Sequence, residues 1–387
     1  MKNTMKCLGL IALVAVIGFS FAACGDGGDN GGGGNQGGNQ GGNNGGGTGG
    51  SNWTWTAVAD KTVWYKSTST YQGTTYTSYY DITAVAYGGG RWVAGGDSGK
   101  MAYSDNGTSW TAVADSTFGT RSSDDVAAIA YGGGRWVAVC NGRMAYSDDG
   151  AIWTAVTPSP GSFNGVAYGS GKFVAGGGSG KIAYSDDGVS WTDAGDSVLG
   201  TYDYYGITSK AAINGIAYGS AGNAGGRFVA VGAAGKTAYS DDSINWTAAA
   251  SSTAWEYQDD GETEVETINA VAYGSNNRWA AVGDWAWVGD HDSNGTMAYS
   301  TDNGVTWTAV PAGGRFDTAG SIAAIAFGNG RFVAGSYNGK TAYSSDGASW
   351  TTVADSKFGS SIIFGIAYGN GRFVAVGGDG KMAYADW

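Results

Sequence analysis

A unit of about 40 residues repeats seven times along this chain, and no other feature restricts its fold as strongly. AVAYGGGRWVAGG, Ala84 to Gly96, returns as AIAYGGGRWVAVC, GVAYGSGKFVAGG, GIAYGSAGNAGGRFVAVG, AVAYGSNNRWAAVG, AIAFGNGRFVAGS and GIAYGNGRFVAVG. Each copy is followed by a second module, KMAYSDNGTSWTAV in the first, which is complete six times; the seventh reads KMAYADW, Lys381 to Trp387. Between glycine-rich breaks the first unit offers four strands rich in β-branched and aromatic residues: Ile82 to Tyr87, Arg91 to Gly95, Lys100 to Ser104 and Ser109 to Val113. Seven such units predict an all-β chain folded as a single seven-bladed β-propeller of four-stranded blades over residues 53–387. A parallel β-helix needs shorter coils, and helical solenoids do not alternate this way. The small alanines of the first strand suit a crowded axis.

The repeat also predicts how the ring closes. SNWTWTAVAD, Ser51 to Asp60, reads as the tail end of a unit. Trp55, Thr56, Ala57 and Val58 would supply the fourth strand of the seventh blade by pairing with Lys381 to Ala385, which removes two open sheet edges.

Residues 1–23 read as a secretion signal, with Lys2 and Lys6 ahead of an apolar run from Leu8 to Phe21. That run is short of the ~20 residues a membrane span needs. FAAC, Phe21 to Cys24, resembles the bacterial lipobox, and the resemblance implies that Cys24 is acylated and becomes the first mature residue. Residues 24–52 then form a tether of Gly, Asn and Gln with a reach of roughly 30 Å. The expectation is a lipid-anchored protein of the bacterial cell envelope, monomeric, touching the membrane through its lipid alone.

The formal net charge is −12, and −14 once Lys2 and Lys6 leave with the signal. A surface so short of cations is a poor partner for nucleic acid. Cys140 would be the one cysteine left after Cys7 and Cys24, so the mature chain has no internal disulfide.

The turn before the fourth strand resembles the Asp-box, S-x-D-x-G-x-x-W, of sialidase-like propellers with BNR repeats; STDNGVTW, Ser300 to Trp307, matches it in full. The other units are one residue shorter, as in SDDGAIW and SDDGVSW. Serine and aspartate oxygens can bond the backbone of their own turn, so Asp149, Asp187, Asp242, Asp302 and Asp346 are read as structural. The resemblance extends to no catalytic motif: Arg91, Arg135, Arg227, Arg278, Arg331 and Arg372 repeat at the start of the second strand and form no clamp for an acidic sugar.

In a meander of four strands, the connections between blades and those from strand two to three share one face. The long insertions, Lys61 to Asp81, Asp196 to Ala211, Ala248 to Thr267 and Asp284 to Met297, all map there, where variable loops carry function. Their aromatic residues Trp64, Tyr65, Tyr204, Tyr205, Trp255, Tyr257, Trp285 and Trp287 are the candidate ligand-binding set, suited to a protein or a carbohydrate partner. GDHDSNG, Gly289 to Gly295, holds the first half of a Ca²⁺ loop in Asp290, Asp292 and Asn294, without the glutamate at the twelfth position; a polar hairpin tip is the plainer reading. No other cofactor is expected.

Two functions fit. The first is a tethered binding module; the alternative is a carboxylate-dependent glycoside hydrolase, for which DDGETEVE, Asp259 to Glu266, supplies acids without showing their separation.

Overall fold

The computed structural model describes residues 53–386, apart from 115–116, 122, 197, 205–206, 221–224, 250–251, 260–261, 289–291 and 317–319. Seven four-stranded antiparallel sheets form a propeller, and three further two-stranded hairpins stand between blades.

Blade 1 shows the common plan. Ile82–Gly88, Arg91–Gly96, Met101–Ser104 and Thr111–Ala112 pair in chain order, with Gly88 opposite Arg91 and Ile82 opposite Gly96. The fourth strand is shorter than the sequence suggests, because Ser109 is consumed by the turn: its N–H donates to Asn106. A bulge lies between Ile82 and Ala84, and it recurs in the first strand of every blade.

Ring closure follows the predicted route. The strand Thr56–Ala57 joins the last blade, with Thr56 opposite Tyr384 and Ala57 opposite Ala383, and the Val58 N–H donates to the Met382 carbonyl. Trp55 is 1% exposed and its indole N–H donates to the Thr341 hydroxyl of blade 6 at 3.0 Å. Trp53 packs against Trp55 at a tilt of 53° and lies edge-on to Tyr343 and Phe373.

The core is divided among the blade interfaces. Ala84, Val93 and Met101 of blade 1 meet Val126, Ile129 and Trp136 of blade 2, and a comparable cluster fills each other step, including the closing one, where Val374 and Met382 meet Ile82 and Trp92. At most steps the tyrosine ending one first strand lies on a glycine of the blade before it. Tyr131 covers Gly88, Tyr168 covers Gly132, and Tyr87 covers Gly369 across the closure. A β-carbon at any of these glycines would come within 2.0–2.3 Å of ring atoms, so the close approach demands glycine.

On the face carrying the Ser–Asp turns, Arg91, Arg135, Arg227, Arg278 and Arg372 each fasten their blade to the next through a main-chain carbonyl. Arg91 pairs with Asp105, sits over the ring of Tyr103, and donates to the main-chain carbonyl of Asp149 in blade 2. Arg135 repeats this with Asp148, Tyr146 and the carbonyl of Asp187.

Candidate functional site

The opposite face carries the insertions. Corners between strands two and three and the segments between blades meet there: the N–H of Asp97 donates to the carbonyl of Asp81, and that of Asp379 to the Asp81 carboxylate. Read as loops, the insertions turn out to be strand pairs. Tyr65–Tyr71 pairs with Thr74–Tyr79, Thr201–Tyr204 with Ile207–Lys210, and Glu256–Asp259 with Glu262–Val265. In blade 5 the second and third strands are themselves extended, Trp279–Val288 against Asp292–Ser300.

The first hairpin is exposed along nearly its whole length. Its turn is Gln72-Gly73, both at positive φ (49° and 78°), the geometry that a two-residue turn of type I′ requires. Tyr71 lies opposite Thr74 and Ser69 opposite Tyr76, so the two tyrosines share one face with Ser67 and Ser78, whose hydroxyls are 2.8 Å apart. Thr68, Thr70, Thr75 and Thr77 occupy the other face. Tyr65, Tyr71 and Tyr76 are 48%, 67% and 56% exposed. Tyr71 and Tyr76 lie in the insertion but outside the candidate set drawn from the sequence.

Trp64 and Trp255 require a correction. Both were expected to offer rings to a ligand, and each is only 1% exposed. Each ends a short 3-10 turn at the foot of a hairpin, Thr62–Trp64 and Thr253–Trp255, and packs on a glycine of the blade it follows, Gly380 and Gly235. A side chain of this size in a mostly polar insertion is worth roughly 2–3 kcal/mol as a buried anchor, more than it could return on a wet surface. Phe118, Leu199, Phe316 and Phe358 are buried at the same stage of other inter-blade segments. Among the described residues the indole N–H groups of Trp64 and Trp255 have no hydrogen-bond partner.

Of the remaining candidates, Tyr65 opens its hairpin half exposed, with its hydroxyl 2.8 Å from that of Thr68. Tyr204 and Tyr257 lie on their hairpins, and Trp285 and Trp287 on the extension of blade 5, opposite Gly295 and Ser293. Asp292 and Asn294 pair with Val288 and Ala286. Tyr205, Asp290, Cys24 and all of the signal and tether lie outside the described residues.

Two carboxylates of this face, Asp97 and Asp125, brace turns, while the side chains of Asp259, Glu262 and Glu264 lie outside the described part. Asp97 accepts from the Asp81 N–H at 3.2 Å, and Asp125 from the Ser98 N–H at 2.8 Å. Burial pushes the Asp97 carboxyl up to about 6; Asp125 and Asp81 add to the rise, while the Asp81 N–H and the Lys66 ammonium oppose it. Asp284 is also raised by burial, against hydrogen bonds from Asn269 and Ser321. On the other face, Asp149, Asp187, Asp242, Asp302 and Asp346 each accept N–H groups of their own turns, such as Ile152 to Asp149 at 2.9 Å and Asn245 to Asp242 at 2.7 Å. The side-chain amide of Asn245, with backbone donors, draws the Asp242 carboxyl down to about 2.

A small hollow, about 20 Å³ and so with room for little more than a water molecule, sits on the axis at the turn-bearing end. Alanine and aromatic residues of the inner strands, among them Ala86, Tyr87, Ala130 and Tyr131, line it, and no carboxylate does. Among the described residues no group of three or more His, Cys, Asp or Glu is arranged to hold a metal ion.

No protein-family model matches the sequence, and no curated protein does. Solved structures do match the fold. A structure of YCF48 bound to D1 peptide is 14% identical, covering 80% of this chain and 94% of that one with a TM-score of 0.57. YCF48 from Cyanidioschyzon merolae is 16% identical over 84% and 99% of the two chains, also at 0.57. The GH74 xyloglucanase from Xanthomonas campestris is 14% identical at 0.57; the match takes in 86% of this chain and about half, 53%, of that one. At these identities the likeness shows the propeller and no more.

Proposed function

We propose that this chain is an exported binding module, tethered through a lipid on Cys24, whose hairpin-bearing face recognises a protein or carbohydrate partner. One observation carries the reading: the hairpin Tyr65–Tyr79 stands in solvent with Tyr71 and Tyr76 side by side among Ser and Thr. Tyrosine gives large contact area at little entropic cost and hydroxyl-bearing neighbours give adaptable hydrogen bonds, the combination that recognition loops favour. Such a hairpin is costly to keep without use, since two strands alone are marginal in water.

Asp97 and Asp125 accept main-chain N–H groups of this face, in keeping with a surface held rigid for recognition. The propeller likeness to YCF48 with bound peptide is in keeping with a protein partner.

The deciding experiment presents the full chain to glycan and peptide arrays beside a Tyr71→Ser/Tyr76→Ser variant. Binding by the native chain that falls at least about tenfold in the variant is expected, a loss of roughly 1.4 kcal/mol or more. Silence on both arrays, or equal binding by the variant, refutes the reading. The anchor is tested separately with a clickable fatty acid, which should label the native chain and leave Cys24→Ser unlabelled.

A further inference from the structure

The hairpin's second strand, Thr74–Tyr79, is an edge without protection. Away from its partner strand it touches the corner Gly378–Gly380 at its Tyr79 end, and every residue before Tyr79 is exposed. Proteins blunt such edges with charge, proline or a bulge. The sister strand Tyr65–Tyr71 has two of these devices, Lys66 and the register shift between Tyr65 and Ser67. TTYTSY has none, and it consists wholly of residues that favour strands or tolerate them.

The register fixes which main-chain groups face outward. Next to a two-residue turn the closing pair exchanges both hydrogen bonds, and bonded and non-bonded pairs alternate from there. Tyr71 with Thr74 and Ser69 with Tyr76 are therefore bonded pairs, and Thr70 with Thr75 and Thr68 with Thr77 are not. The N–H and C=O of Thr75 and Thr77 point to the open side of the strand.

Charge narrows what can dock there. In a chain of net charge −12, the stretch from Lys61 to Tyr80 contains Lys61 and Lys66 and no carboxylate. Lys66 and Lys100 both lie over the ring of Tyr80 at the foot of the hairpin, 5.3 and 5.4 Å from its centroid.

We propose that Thr74–Tyr79 is a strand-addition site that takes an extended, acidic or neutral segment of a partner polypeptide as the third strand of the hairpin, bonded through Thr75 and Thr77. This rests on the reading that the hairpin face recognises a partner, and it selects polypeptide over carbohydrate, because a ladder repeating every second residue matches another main chain.

The test uses the isotope-labelled full chain in detergent and a short synthetic peptide of alternating threonine and glutamate. The expected result is slowing of hydrogen exchange at the Thr75 and Thr77 amides by at least about tenfold. The same peptide N-methylated at alternate amides should give no slowing, and a lysine-for-glutamate version should bind more weakly. Thr77→Pro removes an outward N–H and leaves the inner ladder intact, so it should abolish binding, while Thr77→Ala should keep it. Peptide binding that survives Thr77→Pro, or that leaves both amides exchanging freely, overturns strand addition. If glycans bind and the peptide does not, recognition by this face stands and strand addition falls. If the peptide only follows self-association of the chain, the occupant is a second copy and the proposal is likewise overturned.

Discussion

Arg372 of the last blade donates to the main-chain carbonyl of Asn106 in the first, at 2.6 Å and 266 positions away in sequence. The same guanidinium pairs with Asp386 and lies over Tyr384, which is how Arg91 and Arg135 join their blades. The closing interface therefore uses the fastening of the interior ones. Arg372→Ala should lower stability by about 1–3 kcal/mol, the range for a charge-assisted hydrogen bond. Arg372→Lys should recover part of it, since one ammonium cannot reproduce the fork. The urea midpoint reads both, and an unmoved midpoint in the alanine variant would remove the clip from the account.

Two buried tryptophans of equal exposure should respond differently to loss of the indole nitrogen. Trp55 donates to Thr341, whereas the Trp64 N–H has no partner among the described residues. Trp55→Phe should cost about 1 kcal/mol more than Trp64→Phe, because only the first abandons a hydrogen bond. Alanine at either site should cost about 3–5 kcal/mol. Equal losses for the two phenylalanine variants would mean that the Thr341 contact contributes nothing.

Asp97 makes stability depend on pH in an unusual direction. Its folded value, about 6, lies above the ordinary 3.8, so the folded state binds its proton more readily. Its contribution therefore improves as pH falls from above 6 toward 4 and worsens on the way back. Asp97→Asn should melt higher than the native chain at pH 8, with the gap closing through pH 6 and gone near pH 4. A gap of constant size would point to packing instead of charge.

Gly369→Ala places a β-carbon hard against the Tyr87 ring across the closing interface. Overpacking of this kind should cost about 1–3 kcal/mol or more. Adding Tyr87→Ala should make the double variant more stable than the sum of the single losses allows. Strict additivity in chemical denaturation would show that ring and glycine do not meet.

Most of the fold was legible because the repeat states each decision seven times, and Trp55 to Val58 could be assigned by matching one fragment to a unit. The insertions resisted because they occur once each. Yet TSTYQGTTYTS alternates Thr and Ser with Tyr about a Gln-Gly turn, a hairpin signal that was present and unread. Trp64 and Trp255 were misplaced for a different reason: an aromatic among polar residues looks like a contact surface. Comparing inter-blade segments with one another sets TVW and TAW beside STF, SVL and SKF, and shows one large apolar residue per segment, which is an anchor's signature. Whether a side chain turns in or out depends on a glycine in a neighbouring corner, and local sequence does not name it.

The pairing of Thr56–Ala57 with the last strand has a consequence for the order of events in the cell. The earliest of the described strands to leave the ribosome belongs to the sheet whose other members are made last, so a nascent propeller is an open arc with exposed ends. A chain of this design gains from being held unfolded until translation is finished, since arcs with free edges are the species that aggregate. Only a chain that holds both Thr56–Ala57 and the last strand can become a ring.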